Sequence, residues 1–179
     1  APGDLLVFVA KVNEVEQMCE MLGDEILTEA DEETPPGAPA LMPLPLYGTL
    51  PANRQAAAFA PAPEGRRKGV VATNVAETSV TIPGIVYVID TGKANFSAFD
   101  AANQAVTMAV QWITQASAAQ RTGRAGRTQP GVCHRLYTGA TYADFQEEQT
   151  PEVYRAPLAN TVLSLIAKGV TDVVGLDLL

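Results

Sequence analysis

The run QRTGRAGR, at residues 120–127, places three arginines and two glycines within eight residues. Arg121, Arg124 and Arg127 recur at intervals of three, a spacing that keeps side chains on one side of a helix. A guanidinium group is planar, permanently charged and bidentate, so it suits phosphate oxygens better than an ammonium group does. The run is therefore a candidate phosphate-binding site. A solvated basic helix start fits the same composition, and its GxxG also fits a nucleic-acid clamp or a piece of a dinucleotide loop, although no GxGxxG strand end precedes it.

A second run, TNVAETSVTI at residues 73–82, follows a short apolar strand predicted at 69–72. Its hydroxyls and its amide cluster at the carboxyl end of that strand, where α/β sheets build ligand sites. The two runs together resemble motifs V and VI of superfamily-two helicases, and their forms resemble the DEAH-box RNA helicases in particular. The resemblance covers nearly the whole chain, with an acidic stretch at 28–40 as the exception.

The resemblance implies an α/β fold of the RecA-like type, with a mostly parallel sheet and helices on both faces. It places the RecA-like helicase C-terminal domain at residues 1–150 and a protruding β-hairpin at about 93–112. Residues 151–179 resemble the beginning of a winged-helix region. The chain is thus expected to be the second RecA-like lobe of a helicase.

Hydrophobic patterning agrees with this organisation. Continuous apolar runs predict buried parallel strands, and apolar residues at helical spacing predict the helices between them. The predicted strands are 4–10, 44–47, 69–72, 85–90 and 132–137, and the predicted helices are 12–22, 51–60, 114–123 and the amphipathic stretch after 151. Residues 28–40 combine acids with three prolines and a glycine, so we expect a flexible surface insertion there. Its acids follow no apolar strand and are not a metal-binding DEAH sequence.

The net charge of −8 argues against a nucleic-acid partner until its distribution is considered. Residues 1–33 hold ten acids and one base, and residues 136–179 hold six acids and two bases. Residues 54–135, which carry both motifs, hold nine bases and four acids. Phosphate contacts are therefore expected in this central block. The three consecutive bases at 66–68 are predicted to lie in a solvated turn and to add at most an auxiliary phosphate contact.

The cysteine pattern indicates neither a disulfide framework nor a zinc site. Cys19 and Cys133 are far apart and have no CxxC or Cys/His partners, which favours a reducing compartment. The first residues lack a basic segment and the apolar run at 5–10 is only of strand length, so we expect no signal peptide and no membrane span. Because the chain lacks an initiator Met, we expect it to be a piece of a longer protein.

Motif VI acquires catalytic roles from the resemblance. Arg124 and Arg127 are implied to reach the β- and γ-phosphates of ATP, with Arg127 as the candidate arginine finger. Gln120 is implied to position the attacking water or the γ-phosphate. Arg121 is expected to support the fold through a salt bridge instead.

Motif V is implied to touch both ligands. Thr73 and Asn74 are expected to face an RNA phosphate, while Ser79 and Thr81 lie near the nucleotide. Lys11 occupies the turn that corresponds to motif IV and is a further candidate for a phosphate contact, although this turn lacks the Thr-Gly common in the family. Backbone contacts of this kind carry no sequence information, so RNA binding without sequence preference is implied.

Phe59 is the candidate adenine contact. It follows the stretch LYGTLPANRQ at 46–55, after which DEAH-box helicases carry an aromatic residue that stacks on the base. The prediction places it exposed near the end of the helix at 51–60. An ordinary core position is the alternative interpretation of Phe59.

Two motifs that bind and hydrolyse ATP are missing from the sequence. There is no GxxxxGK[ST] loop, and Gly92-Lys93 does not supply one; there is also no DExH sequence. The resemblance therefore implies that ATP and Mg²⁺ are bound mainly by an N-terminal RecA-like lobe outside this chain, and that the chain alone does not hydrolyse ATP. The implied partners are RNA, that lobe and the C-terminal domains of the same protein; an activating protein cofactor is a further candidate.

The pathway is the least constrained expectation. Residues 112–117 and 155–158 resemble most the branch that acts in small-ribosomal-subunit assembly, which implies the nucleus and, within it, the nucleolus. Spliceosomal and other RNP-remodelling relatives remain open. Two other classes also fit the sequence: a non-catalytic RecA-like docking module, and a helicase directed at DNA.

Overall fold

A computed structural model describes residues 3–28, 39–77, 81–100, 105–127, 129–151, 158–173 and 175–176. The strands are β1 (Asp4–Phe8), β2 (Ala40–Leu46), β3 (Arg66–Ala72), β4 (Ile85–Asp90), β5 (Lys93–Asp100), β6 (Ala105–Trp112) and β7 (Val132–Arg135). The helices are α1 (Val12–Thr28), α2 (Ala52–Phe59), α3 (Gln115–Thr122), α4 (Gly139–Ala143) and α5 (Ala159–Ala167), and a 3₁₀ helix spans Asn74–Glu77.

Five strands form one parallel sheet in the order β2-β3-β1-β4-β7. The central strand β1 pairs with β3 and with β4, and Phe8 lies opposite Ala72 at the carboxyl end. The loops that follow β1 and β3 therefore start side by side. This arrangement confirms the predicted mostly parallel sheet. It places the two candidate RNA-facing loops at the carboxyl end of the sheet.

Helices cover both faces of the sheet, as predicted. Alternate residues of a strand point to opposite faces, so Val7 and Phe8 belong to different layers. The Val7 layer packs against α1 and includes Val9, Val15 and Val71. The Phe8 layer packs against α2, the 3₁₀ helix and the turn after α3, and includes Ala58, Ala76 and Ala125.

Strand β2 begins earlier than the sequence predicts. The expected strand was 44–47, yet β2 already starts at Ala40, which the prediction assigned to the acidic insertion. The strand contains Pro43 and Pro45, and it tolerates them because it lies at the edge of the sheet and pairs only with β3. The start of the predicted insertion is also corrected, because α1 extends through Thr28; residues 29–38 lie outside the described residues.

The basic stretch at 66–68 is not a solvated turn, so that prediction is wrong. It forms the start of β3, and Lys68 is completely buried. Arg67 is half-buried and stacks over Tyr87, while Arg66 is exposed. The strand passes beneath α2, which converts one of three consecutive bases into a core residue.

The predicted hairpin is confirmed in its strands, since β5 and β6 form a two-stranded sheet. Strand β5 ends at Asp100, and residues 101–104, between the two strands, lie outside the described residues. Contacts divide the chain into two compact units: the first is Ala1–Ala94 with Val110–Glu148, and the second is Asn95–Ala109 with Gln149–Leu179.

The second unit contains the outer part of the hairpin and α5. Helix α5 confirms the helix predicted after 151, and Gly169 follows it with a φ of 91° that favours glycine. Leu163 and Ile166 of this helix are exposed. The assignment of residues 151–179 to a winged-helix region stays a prediction, as does the boundary near residue 150.

None of the helices in the part of the chain that the structure describes is long and apolar enough to cross a lipid bilayer.

Cys19 gives a prediction about thiol chemistry. It lies on α1, half-buried against the Val7 layer, and burial together with the negative charge of Glu16 raises its pKa to about 11. Because the thiolate is the nucleophile, the reactive fraction at pH 8 is roughly 100-fold below that of an ordinary thiol. Alkylation of Cys19 by iodoacetamide, followed by mass spectrometry, should therefore be slow at pH 8 and rise steeply towards pH 11.

The control is the same cysteine in urea, where the raised pKa is lost and alkylation at pH 8 should be fast. Equal rates for the folded and unfolded chain at pH 8 would contradict the environment assigned to Cys19.

Candidate functional site

Arg121 lies at the centre of the site and is completely buried. Its Nε and one terminal nitrogen reach Glu77 at 2.7 and 2.6 Å, and the other terminal nitrogen donates to Asp90 at 2.7 Å. The guanidinium also donates to the carbonyl of Lys93 at 3.1 Å and stacks over Phe8 at 4.7 Å. The salt bridge expected of Arg121 is confirmed, and it is a double one.

Glu77, at the end of the 3₁₀ helix, joins motif V to motif VI. Its carboxylate accepts from Arg121 and, at 2.8 Å, from the hydroxyl of Ser117 on α3. Its backbone carbonyl accepts a hydrogen bond from Arg124. The side chain of Glu77 thus holds Arg121, and its main chain holds Arg124.

Motif VI does not continue as a helix through its three arginines. Helix α3 ends at Thr122, so Arg124 and Arg127 lie in the turn beyond Gly123. The expectation that all three arginines lie on one side of a helix is therefore wrong. The end of the helix separates the three side chains, because Arg121 is buried in the core, Arg124 is half-buried and Arg127 is exposed.

Arg127 is exposed and donates to the hydroxyl of Thr81, which places two predicted nucleotide-facing residues in contact. Burial lowers the pKa of Arg124, and the positive charge of Arg127 lowers it further. The two guanidinium groups therefore disfavour each other's positive charge. Such a pair is stabilised by an anion with several oxygens, which fits the phosphates of a nucleotide.

The candidate RNA contacts lie at neighbouring strand ends. Lys11 follows β1 and Asn74 follows β3, and both are exposed. Thr73 is nearly buried, with 9% of its surface exposed, so its side chain offers little area for contact. In the turn after β1, the amides of Ala10 and Lys11 donate to the carboxylate of Glu14 at 2.9 and 3.1 Å. The side chain of Lys11, not its amide, is therefore the group available to a phosphate.

The remaining candidate site residues are Phe59, Gln120 and Ser79. Phe59 ends α2 and is half-buried against the Phe8 layer, so it is less exposed than predicted; its adenine role stays a prediction. Gln120 is exposed on α3. Ser79 lies outside the described residues.

Sequence reasoning missed the partners of Arg121. Glu77 and Asp90 are two of the four acids in the basic block at residues 54–135, and both form salt bridges with Arg121. Their scarcity in that block was the available signal. Sequence reasoning also missed the burial of Lys68, because nothing in a run of three bases indicates which of them is buried.

The described residues fit phosphates better than they fit a metal ion. Arg124 and Arg127 can hold phosphate oxygens, for the reason given above. Within the described ranges, no group of three or more His, Cys, Asp or Glu side chains is placed to hold a metal ion. Among the described residues, Arg124 and Arg127 are therefore candidates for phosphate contacts.

Fold and site together define a RecA-like lobe of the helicase class, in which arginines of one motif face the loop of another. The sequence profile described as the helicase conserved C-terminal domain matches residues 1–129. The chain therefore belongs to the family of helicase conserved C-terminal domains.

Individual relatives sharpen this assignment. The chain is 47% identical over 174 residues, 96% of its length, to a probable ATP-dependent RNA helicase, the DHX35 homolog of Caenorhabditis elegans. It is 44% identical over 177 residues, 98% of its length, to the pre-mRNA-splicing factor ATP-dependent RNA helicase prp22 of Schizosaccharomyces pombe. It spans 23% and 15%, respectively, of the lengths of these two proteins.

A solved structure gives the same result. The Escherichia coli DEAH/RHA helicase HrpB matches with a TM-score of 0.80 and 34% identity, over 96% of this chain and 21% of that one. These matches confirm the DEAH-box resemblance and the RecA-like fold.

Proposed function

We propose that the full-length protein is an ATP-dependent RNA helicase that remodels RNA or RNP, and that this chain is its second RecA-like lobe. The observation that carries the proposal is the pair Arg124 and Arg127, held against motif V by Glu77 and Thr81. Arg127 is exposed and Arg124 is half-buried, while the third arginine of the motif is paired with Glu77 and Asp90 inside the core.

Arg127 is the arginine finger in this proposal. It is exposed and donates a hydrogen bond to Thr81, so it can reach a nucleotide bound on the facing lobe. Such a group stabilises the charge that develops on the transferring phosphoryl and is typically worth about 10³ to 10⁵ in rate. Arg124 contacts the phosphates beside it, Gln120 positions the water or the γ-phosphate, and Ser79 and Thr81 complete the nucleotide side.

RNA is held by its backbone at the carboxyl edge of β1 and β3, through Lys11, Asn74 and the small exposed part of Thr73. The 3₁₀ helix connects this edge to motif VI, because Asn74 begins it and Glu77 ends it. A shift of Arg124 on nucleotide binding is thereby transmitted to the RNA contact over four residues. Coupling of this kind is reciprocal, so RNA binding also changes nucleotide affinity.

The other lobe completes the enzyme. It would supply the Walker loop, the water-activating carboxylate and the ligands of Mg²⁺, and the ion would neutralise phosphate charge. The partners are this lobe, the C-terminal domains of the same protein, RNA and an activating protein cofactor.

The proposed place of action is the nucleus. The runs at 112–117 and 155–158 favour nuclear RNP remodelling, with ribosome biogenesis in the nucleolus as the specific case. One relative is named a pre-mRNA-splicing factor, and this name supports splicing as the alternative pathway.

Unwinding by the full-length protein is the test. We expect ATP-dependent unwinding of an RNA duplex with a single-stranded overhang, and little unwinding of the matched DNA duplex, measured by strand displacement. The 179-residue chain alone, at the same concentration, should hydrolyse no more ATP than buffer does.

Three results would contradict parts of the proposal. Hydrolysis by the pure 179-residue chain would refute the two-lobe site. Faster unwinding of DNA would reassign the substrate. A full-length protein that binds RNA but neither hydrolyses ATP nor unwinds would make the lobe a docking module.

A further inference from the structure

Lys68 is a completely buried lysine whose ammonium group is fully used. Its Nζ donates to the carbonyl oxygens of Ala60, Pro83 and Ala58 at 2.8, 3.0 and 3.1 Å. An ammonium has three protons, and each has one acceptor here. The nearest carboxylate oxygen, on Asp4, lies farther away at 3.6 Å. The ammonium group of Lys68 therefore interacts mainly with backbone carbonyl groups.

Two of these carbonyls flank Phe59. The last carbonyls of a helix have no partner within the helix, and a cation at this end satisfies and stabilises them. Ala58 and Ala60 lie at the carboxyl end of α2 on either side of Phe59. Fixing both neighbouring carbonyls fixes the backbone that carries the Phe59 ring.

The third carbonyl belongs to the loop that carries Thr81. Pro83 follows Thr81 by two residues, and Thr81 receives the hydrogen bond from Arg127. One ammonium therefore joins the segment of the candidate adenine contact to the segment of the candidate phosphate contact. In sequence, these two segments are more than twenty residues apart.

Packing alone does not require this lysine. Burying an ammonium carries a large desolvation cost, and a methionine of similar length fills comparable volume without it. The methionine lacks the link between α2 and the Thr81 loop, and it also leaves the carboxylate of Asp4 without the ammonium that lies 3.6 Å from it.

We propose that Lys68 is a positioning residue that fixes the separation of Phe59 from the Thr81 loop, so that base and phosphates of one nucleotide are engaged together. The inference rests on the proposed function, because it assumes that Phe59 meets the base. It predicts a loss specific to ligands that carry both a base and phosphates.

The test compares ATP with inorganic tripolyphosphate, which has no base, in the full-length protein. Lys68→Met should weaken ATP binding about tenfold, within the range of one base–aromatic stack, and should leave tripolyphosphate affinity unchanged. Arg66→Met is the matched control, since Arg66 is an exposed base two residues away on β3, and it should change neither affinity.

A double mutant tests whether Lys68 acts through Phe59. Phe59→Ala should weaken ATP binding by a similar factor, and Lys68→Met combined with Phe59→Ala should be no weaker than Phe59→Ala alone. Additive losses would overturn the inference, as would an equal loss for ATP and tripolyphosphate, which indicates general loosening.

Failure of the proposed function gives a different result. If Phe59→Ala leaves ATP affinity unchanged, the adenine contact is absent and the inference falls with it. If Phe59→Ala weakens ATP binding but Lys68→Met does not, only the inference is overturned. Should Lys68→Met fail to fold, Lys68→Arg keeps the charge but cannot meet the same three carbonyls. It should show a smaller loss for ATP and none for tripolyphosphate, and an equal loss for both would again overturn the inference.

Discussion

Replacing Arg127 by alanine in the full-length protein should lower single-turnover ATP hydrolysis by about 10³-fold or more while changing ATP affinity far less. The reason is that a finger contributes mainly when charge develops on the transferring phosphoryl, so the loss falls on turnover instead of on binding. Arg127→Lys should not rescue, because an ammonium cannot reproduce the planar fork. Rapid-quench hydrolysis and a nucleotide-binding titration measure the two quantities.

Stability and RNA binding are the controls for this prediction. Arg127 is exposed and, among the described residues, its side chain hydrogen-bonds to Thr81, so its removal should leave the melting temperature nearly unchanged. RNA affinity without nucleotide should also survive, since that contact belongs to motif V and Lys11. Near-normal hydrolysis combined with lost RNA binding would make motif VI an RNA clamp and would refute the finger assignment.

Much of the fold could be predicted from apolar runs. Strands β1 and β4 are buried on both faces of a parallel sheet, and such strands appear in a sequence as continuous apolar stretches. Strand β2 was predicted to start too late because Pro43 ends a strand by local rules. Only its position at the sheet edge, which local sequence does not reveal, makes the prolines acceptable.

Less of the site could be predicted. The resemblance assigned Arg124 and Arg127 to the phosphates and Arg121 to the fold; the buried salt bridges of Arg121 agree with its structural role, whereas the phosphate roles stay predictions. The regular spacing of the arginines predicted one helix face, and that was wrong because α3 ends at Thr122. Spacing describes a helix only as far as the helix extends, and Arg124 contacts the carbonyl of Glu77 from the turn beyond it.

Long-range partners were beyond local reasoning. Glu77 and Asp90 lie 44 and 31 residues from Arg121 along the chain, and no local pattern joins them. A run of bases likewise gives no indication that Lys68 is buried beneath α2. Such positions follow from which strands pair, so they require the sheet order first.

Replacing Arg121 should have the largest effect on stability. Arg121→Met removes a guanidinium that is fully buried and leaves Glu77 and Asp90 without their cation. Breaking a buried ion pair by removing one partner typically costs about 3–5 kcal/mol, because the remaining charge is desolvated and unpaired. Since a whole domain is stable by only about 5–15 kcal/mol, the variant should be close to unfolding. Urea denaturation followed by circular dichroism measures the change in the free energy of unfolding.

The surface pair of Arg54 and Glu16 is the matched control. Its nitrogen and oxygen are 3.8 Å apart, and the side chains are 53% and 41% exposed, so Arg54→Met should cost less than about 1 kcal/mol. Adding Glu77→Gln and Asp90→Asn to Arg121→Met should restore part of the lost stability, because both buried charges are then removed. If Arg121→Met costs no more than Arg54→Met, or if the added amides destabilise it further, unpaired charge is not what holds this arginine in the core, and packing against Phe8 must be the dominant contribution.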